Sequence, residues 1–115
     1  MQPKRAPVGF DPRTAGPALI FVTATWCGHC QRLKPTIAEV TSILGPAVPV
    51  YQIDADADES LIKKKFPQVE GFPTIFLADG AGGLLTFGSG ERSSERILSF
   101  VCNNVRGSYA FCPTR

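Results

Sequence analysis

The sequence predicts an α/β domain built on a mixed sheet of four or five strands with helices on its faces. Two observations carry this prediction. Apolar runs typical of buried strands alternate with stretches of helical periodicity in the order strand, helix, strand, helix. Two further apolar runs are then joined by a Gly-rich turn, which indicates an antiparallel hairpin followed by one more helix. Because a helix separates the first two long strands, we expect them to be parallel and joined by a right-handed crossover.

The first strand is predicted to follow an irregular arm. Residues 1–17 contain four Pro and two Gly, which interrupt regular hydrogen bonding at short intervals. Residues 18–23 form an apolar, partly β-branched run, as in a central strand covered on both faces. From residue 27 to residue 44, apolar side chains recur every three or four positions, which predicts an amphipathic helix ending at Gly45. Pro35 is expected to kink this helix because it removes one backbone hydrogen bond.

The middle of the chain supplies three more strands and one short helix. Residues 48–53 are predicted to form a second buried strand, and residues 60–66 a short helix that ends before a proline. Residues 74–78 and 84–87 flank a segment rich in Gly, and this arrangement predicts two antiparallel strands.

The last predicted helix begins after Ser93, whose hydroxyl is suited to cap it, and Gly107 is expected to end it. Its apolar side chains again recur at helical spacing. The sequence thus divides into a Pro-rich N-terminal arm over residues 1–17, one domain over residues 18–106, and a C-terminal tail over residues 107–115.

The composition is that of one globular domain. The chain has 115 residues, of which 43% are hydrophobic, and a formal net charge of +2. A chain of this length supports a single core, and its apolar fraction is too high for a disordered chain. The charges are nearly balanced, unlike those of a dedicated nucleic-acid-binding protein, and no apolar run approaches the roughly 20 residues that cross a bilayer. We therefore expect a soluble monomer that binds neither nucleic acid nor membrane.

Two cysteines stand where the first long strand ends and the first helix begins. Cys27 and Cys30 are three positions apart on the first helical turn, which places both sulfurs on one side within disulfide reach. Cys27 lies beside the unpaired N–H groups at the positive end of the helix dipole, so its thiolate is favoured. A cationic His29 between them would stabilise the thiolate over the disulfide. The pattern predicts a nucleophilic Cys27 and a resolving Cys30.

The cysteines also permit other interpretations. Cys27 and Cys30 could form a structural disulfide or half of a zinc site, but zinc needs two more ligands, and Cys102 and Cys112 lack a paired spacing. We therefore predict no metal and no dissociable cofactor. Cys102 is either a small buried apolar side chain of the last helix or the partner of Cys112 in a second disulfide. Cys112 would otherwise be a free thiol able to form dimers or relay electrons.

Residues 26–30, Trp-Cys-Gly-His-Cys, with Pro35 shortly after, resemble the active-site helix of the thioredoxin superfamily. The inner Gly-His pair is the one typical of protein disulfide isomerase domains. Residues 71–74, Gly-Phe-Pro-Thr, resemble the loop whose cis-proline faces the dithiol in that superfamily. The resemblance covers roughly residues 18–105. It implies a thioredoxin-like fold and a redox-active disulfide between the two cysteines.

The resemblance also implies a substrate groove. The backbone of the residue before the cis-proline, here Phe72 before Pro73, pairs with an extended substrate in the superfamily. Trp26 and a glycine near a later turn, here Gly90, line the same groove. Between the two cysteines, Gly28 and His29 are the residues that tune the thiol pKa.

Phe21 departs from the superfamily's pattern. A buried acid usually stands six residues before the first active-site cysteine, and Phe21 occupies that position here. The lysine that often pairs with this acid is also missing from residues 48–53, so no single buried charge is left behind. The superfamily's acid is expected to take the proton of the resolving cysteine. Without it, Cys30 must give its proton to water or another base, and its attack is expected to be slow at neutral pH. The short Pro-rich arm also makes a sheet of four strands an alternative to five.

The sequence predicts a thiol-disulfide oxidoreductase that reduces, forms or isomerises disulfides in protein substrates, with an unidentified reductase or oxidase as redox partner. One alternative is a binding module that holds partners in the groove, and another is a dedicated electron donor to one client, both with little general turnover.

The Gly-His pair is typical of secretory-pathway enzymes. The basic N-terminal residues, however, are followed by no long apolar segment of a signal peptide, and we expect a cytoplasmic location.

Overall fold

The computed structural model describes residues 2–88 and 90–113, and these residues form five strands and three helices. In chain order, the elements are β1 (Lys4–Arg5), β2 (Ala18–Thr23), α1 (Gly28–Leu44), β3 (Val50–Asp54), α2 (Glu59–Lys65), β4 (Thr74–Ala78), β5 (Leu84–Thr86) and α3 (Ser94–Asn104).

The strands form one mixed sheet in the order β1-β3-β2-β4-β5. β2 runs parallel to β3 and antiparallel to β4, and β4 and β5 form the antiparallel hairpin. This arrangement confirms the predicted α/β class with a mixed sheet and helices. The sheet has five strands, so the alternative of four is wrong.

The additional strand is β1, and it lies in the segment for which the sequence predicts an irregular arm. Lys4 and Arg5 lie parallel to β3, opposite Tyr51 and Gln52. The neighbouring prolines of the arm fall outside the two paired residues, so no ladder hydrogen bond loses its donor. Two paired residues are too few to leave an apolar pattern in the sequence, which is why the prediction missed them.

β2 lies at the centre of the core. All six of its residues are buried, and its side chains alternate between the two faces of the sheet. Leu19 and Phe21 pack with buried residues of α1 and α3 on one face. Ile20 and Val22 pack with Phe66, which follows α2, on the other. The prediction of a central strand covered on both faces is confirmed.

The helix ends follow from local hydrogen bonding. α1 contains Pro35 and ends at Gly45, whose φ of 55° is in the left-handed region and whose N–H donates to Thr41. The Ser93 hydroxyl caps α3 by accepting the Arg96 N–H at 3.2 Å. α3 ends at Asn104, before Gly107, because the next residue is extended and Arg106 donates its N–H to the Asp79 carbonyl at 3.0 Å.

The tail folds back onto the domain. Cys102 on α3 and Cys112 form a disulfide, and the rings of Tyr109 and Phe111 stack with centroids 5.2 Å apart. Both aromatic rings pack against the core cluster shared by α1 and α3. Among the described residues, no helix combines the length and the apolar composition that crossing a membrane requires.

Candidate active site

The sheet topology brings two distant segments together at one edge. β2 ends at Thr23 and the chain then turns into α1, so the start of α1 lies beyond the end of β2. β4 runs antiparallel to β2, with Thr74 opposite Val22. The residues just before β4 therefore meet the first turn of α1. Those residues are Phe72 and Pro73, which are joined by a cis peptide bond.

Cys27 is the N-cap residue of α1. It has an extended backbone, and its Sγ accepts the N–H of Cys30 at an N to S distance of 3.2 Å. The sulfur thus replaces the oxygen of an ordinary capping side chain at the positive end of the helix dipole. Cys27 and Cys30 are not joined by a disulfide, and 8% and 4% of their surface is exposed.

The hydrogen bonds to Cys27 favour its thiolate. Burial opposes ionisation, but the thiol and N–H of Cys30, the N–H of His29 and the positive charge of Arg32 all favour it. Their combined effect outweighs burial and lowers the pKa of Cys27 below its ordinary value of 9.0. Cys27 is therefore the more nucleophilic of the two sulfurs.

Cys30 is held in the thiol form. Burial, and then the adjacent Cys27 sulfur as hydrogen-bond partner and negative charge, raise the pKa of Cys30 to about 11. The Ala24 backbone N–H and the charge of Arg92 act in the opposite direction. Because the pKa of Cys27 is lowered and that of Cys30 is raised, Cys27 is the first of the two thiols to ionise.

Arg32 adds a positive charge beside the dithiol, and this charge favours the thiolate of Cys27. The Arg32 guanidinium lies 2.9 Å from Nδ1 of His29. Of the two residues expected to tune the thiol, His29 acts on Cys27 through its backbone N–H. Gly28 stands at the first position of α1. A Cβ added to it would lie 3.6 Å from the Arg32 side chain, an ordinary contact distance.

The segment before β4 forms one side of a groove beside the dithiol. The thiol of Cys27 donates to the Phe72 carbonyl at 3.5 Å. Trp26 is 66% exposed and meets the Phe72 ring edge to face, with centroids 5.6 Å apart. The groove continues along Phe72 and Pro73 to Arg92 and has a volume of about 370 Å³. Among its described lining residues, the glycine from the later turn is Gly88. Gly90 and Trp26 are not included, and Trp26 adjoins the groove through its contact with Phe72.

Phe21 lies in the apolar core below the site. It is fully buried, and it packs with residues of α1 such as Leu33 and Ile37. Its neighbour on β3 is Gln52. No carboxylate occupies the position where the superfamily's pattern has one, and Phe21 takes part in the packing that holds α1 to the sheet.

The cysteines of the tail are separate from this site. Cys102 and Cys112 are bonded to each other near the end of α3 that lies beside Asp79, after β4. In residues 2–88 and 90–113, no group of three or more His, Cys, Asp or Glu side chains is placed to hold a metal ion.

The sequence reasoning missed Arg32 and Arg92, whose charges act on the pKa values of Cys27 and Cys30. A signal for Arg32 exists, because it stands three positions after His29 and so shares its side of the helix. Arg92 comes from the segment before α3, and only the fold brings its charge near Cys30.

Comparison with known proteins finds relatives of the whole domain. The sequence profile of the family described as Thioredoxin matches residues 12–103. A mitochondrial thioredoxin domain-containing protein of Schizosaccharomyces pombe is 35% identical over 97 residues, which cover 81% of this chain and 27% of that protein. Protein disulfide isomerase-like 1-1 of Arabidopsis thaliana is 36% identical over 88 residues, which cover 75% of this chain and 17% of the relative. The chain thus spans about a quarter or less of these relatives.

Solved structures show the same fold. The first thioredoxin domain of mouse protein disulfide-isomerase A4 superposes with a TM-score of 0.64 and 30% identity, covering 77% of this chain and 63% of that one. The J-Trx1 fragment of ERdj5 superposes with a TM-score of 0.71 and 20% identity, covering 84% of this chain and 46% of the fragment.

Proposed function

The chain belongs to the thioredoxin family, and on that premise we propose that it is a thiol-disulfide oxidoreductase acting on protein disulfides through Cys27 and Cys30. One observation carries the proposal: the Cys27 sulfur caps α1, has a lowered pKa, and faces the Phe72 carbonyl before the cis peptide bond. A reactive sulfur thus lies next to a backbone group that can hold an extended polypeptide.

In the reducing direction, the Cys27 thiolate attacks one sulfur of a substrate disulfide. A bond forms between Cys27 and that sulfur, and the other substrate sulfur leaves as a thiolate. Ionisation of Cys27 also removes the S–H that the Phe72 carbonyl accepts in the thiol form. That carbonyl is then available to a backbone N–H of the substrate, with Trp26 and Pro73 flanking it.

In the second step, Cys30 attacks the Cys27 sulfur. A disulfide forms between the two cysteines, and the second substrate sulfur leaves as a thiolate. Running the two steps backwards oxidises a substrate dithiol, and stopping after the first allows isomerisation. The direction depends on the reduction potential, which Arg32 raises because its charge stabilises the Cys27 thiolate of the reduced form. We place the potential nearer the isomerase value of about −180 mV than the thioredoxin value of about −270 mV.

The test is the reduction of insulin by dithiothreitol, followed as precipitation of the insulin chains. We expect the protein to accelerate precipitation and the Cys27→Ser variant to lose the acceleration. The matched control is Cys102→Ala with Cys112→Ala, which removes the other pair of cysteines and is expected to keep the acceleration. Equal rates with and without the wild-type protein would refute the proposal.

A second candidate function is favoured by the missing buried acid and by an exposed aromatic side chain next to the dithiol. Phe21 is a fully buried phenylalanine, and the exposed Trp26 lies against Phe72 at the groove. Such a groove suits a module that binds a partner with little turnover, including a dedicated electron donor to one client. A module of this kind would retain an unfolded polypeptide that contains a disulfide equally well when Cys27 and Cys30 are both serine. An oxidoreductase retains this polypeptide through a mixed disulfide and would lose it in that variant.

The cytoplasmic location, the monomeric state and the lack of nucleic-acid binding remain predictions. Cell fractionation tests the first, and it must resolve mitochondria because one relative is named as mitochondrial. Size-exclusion chromatography tests the second, and a gel-shift assay tests the third. The upstream reductase or oxidase is to be identified by trapping a mixed disulfide on Cys27 in the Cys30→Ser variant.

A further inference from the structure

A cavity of about 270 Å³ lies beside Cys30, between the ends of β2 and β3 and the first turns of α1. Most of its lining is polar, and besides Cys30 it includes Thr23, Gln52, Asp54 and Lys34. It shares no lining residue with the groove at Phe72. A polar cavity of this size has room for several water molecules, since each takes about 30 Å³. Cys30 thus lines a space that water can enter, on a side away from the substrate groove.

The pairing of β2 with β3 puts the polar residues of this cavity on one face. Phe21 lies opposite Gln52, and Thr23 lies opposite Asp54. Because side chains alternate along a strand, these four residues all face α1. The Gln52 amide donates to the Thr23 hydroxyl at 2.9 Å. Between the apolar core at Phe21 and the end of the sheet, Asp54 is the first residue on this face that carries a carboxylate.

The Asp54 carboxylate is held in place by its own turn. Its Oδ2 accepts the N–H groups of Asp56 and Ala57 at 3.0 and 2.8 Å, which fixes the side chain at the end of β3. In the described part of the chain, the other charged groups that line this cavity or act on the pKa of Cys30 are Lys34, Cys27 on α1 and Arg92 from the segment before α3. Of these, Lys34 and Arg92 are cations, and Cys27 is engaged in the mixed disulfide when Cys30 must ionise. Asp54 is therefore the one anionic proton acceptor that this set offers.

We propose that Asp54 accepts the proton of Cys30, through water in the cavity, when Cys30 attacks the mixed disulfide on Cys27. The inference rests on the proposed oxidoreductase function. The Cys30 S–H bond breaks and its proton passes by way of water to Asp54. The resulting thiolate forms a bond to the Cys27 sulfur, and the bond between Cys27 and the substrate sulfur breaks. The substrate leaves as a thiolate and takes up a proton from solvent or from Asp54, so charge and protons balance.

The experiment uses reduced full-length protein and dithionitrobenzoate in a stopped-flow spectrometer. Cys27 releases the first coloured thiolate when it attacks the reagent, and Cys30 releases the second when it attacks Cys27. The coloured thiolate is a stable anion that needs no proton, so the second phase reports ionisation and attack by Cys30. The Asp54→Asn variant keeps an oxygen acceptor for the Asp56 and Ala57 N–H groups but removes the base. The matched control is Asp56→Asn, which removes the same charge from the same turn outside the cavity.

We expect the second phase of Asp54→Asn to be slower by about 100-fold at pH 7, the lower end of the range for general base catalysis. The difference should shrink as the pH rises, because hydroxide then ionises Cys30 directly. The first phase should stay within about twofold of the wild type, as should both phases of Asp56→Asn. In Asp54→Ala, added formate should accelerate the second phase by entering the cavity, whereas it should leave the wild type unchanged.

Two results would overturn the inference. One is a second phase in Asp54→Asn within twofold of the wild type and with the same pH profile. The other is an equal slowing of both phases without rescue by formate in Asp54→Ala, which would mark a purely structural role. Failure of the proposed function looks different, because the wild-type protein would then not accelerate insulin reduction at all.

Discussion

Replacing both cysteines of the tail is expected to destabilise the fold while leaving the dithiol chemistry unchanged. The perturbation is Cys102→Ala with Cys112→Ala. The bond between these residues joins α3 to a tail whose Tyr109 and Phe111 rings pack on the core shared by α1 and α3. Without it, the unfolded chain is freer and the two rings are held by packing alone.

The magnitude follows from the length of the closed loop. The bonded cysteines are 10 positions apart. A disulfide closing a loop of that length lowers the entropy of the unfolded chain by an amount worth about 2.7 kcal/mol at 25 °C. In a chain of this size, that loss of stability lowers the melting temperature by about 10 °C. Any loosening of the aromatic packing adds to the loss.

The assay is urea unfolding followed by circular dichroism. It is run with Cys27→Ala and Cys30→Ala present in both proteins, so that the tail bond is the one disulfide that differs. A loss of unfolding free energy below about 1 kcal/mol would refute the loop-closure reasoning. Insulin reduction, measured with Cys27 and Cys30 intact, should be unchanged at 25 °C. The reason is that the tail bond lies near the start of β2 and the dithiol beyond its end, about 20 Å away at the strand rise per residue.

Three further predictions concern the dithiol. In reduced protein at pH 8, iodoacetamide should modify Cys27 and spare Cys30. The reason is that, with a pKa of about 11, only about one Cys30 in a thousand is a thiolate at this pH. Peptide mass spectrometry checks this prediction, and equal modification of the two cysteines would contradict it. Arg32→Gln should raise the pKa of Cys27 and make the dithiol more reducing by up to about 30 mV, the equivalent of one pKa unit. The reduction potential is measured in glutathione buffers, and an equal shift in Arg106→Gln would show a general charge effect instead. Phe21→Asp should cost at least about 3 kcal/mol in urea unfolding, against about 1 kcal/mol for Phe21→Leu, because a packed ring is lost and a carboxyl is buried. In the fraction that stays folded, the new acid should accelerate attack by Cys30, and unchanged stopped-flow rates would contradict the argument from the missing acid.

Most of the fold could be predicted because its signals are local. The buried strand over Ala18–Thr23 and the helix over Gly28–Leu44 follow from apolar spacing within one segment, and their bounds agree with the predictions to within a residue. The two-residue strand Lys4–Arg5 could not be predicted in this way. It is exposed, has no apolar side chain, and exists because the edge of β3 offers backbone partners.

The dithiol could also be predicted from the sequence. The spacing of Cys27 and Cys30 at a helix start predicts two sulfurs in reach of each other, and the difference between them follows from where each stands in the first turn. The effect of a cationic His29 stays a prediction. The sequence reasoning did not identify Arg32, whose charge also acts on Cys27 and whose guanidinium lies 2.9 Å from the His29 ring.

By itself, the sequence determined the order of strands and helices and the place of the reactive cysteine, because periodicity and helix capping act over a few neighbouring residues. Only the tertiary structure decided what surrounds the two sulfurs. The Phe72 carbonyl, the charge of Arg92 and the polar cavity that ends at Asp54 come from segments far apart in the chain. They meet at the dithiol because the register of β3 and β4 on β2 sets which residues reach the same edge of the sheet.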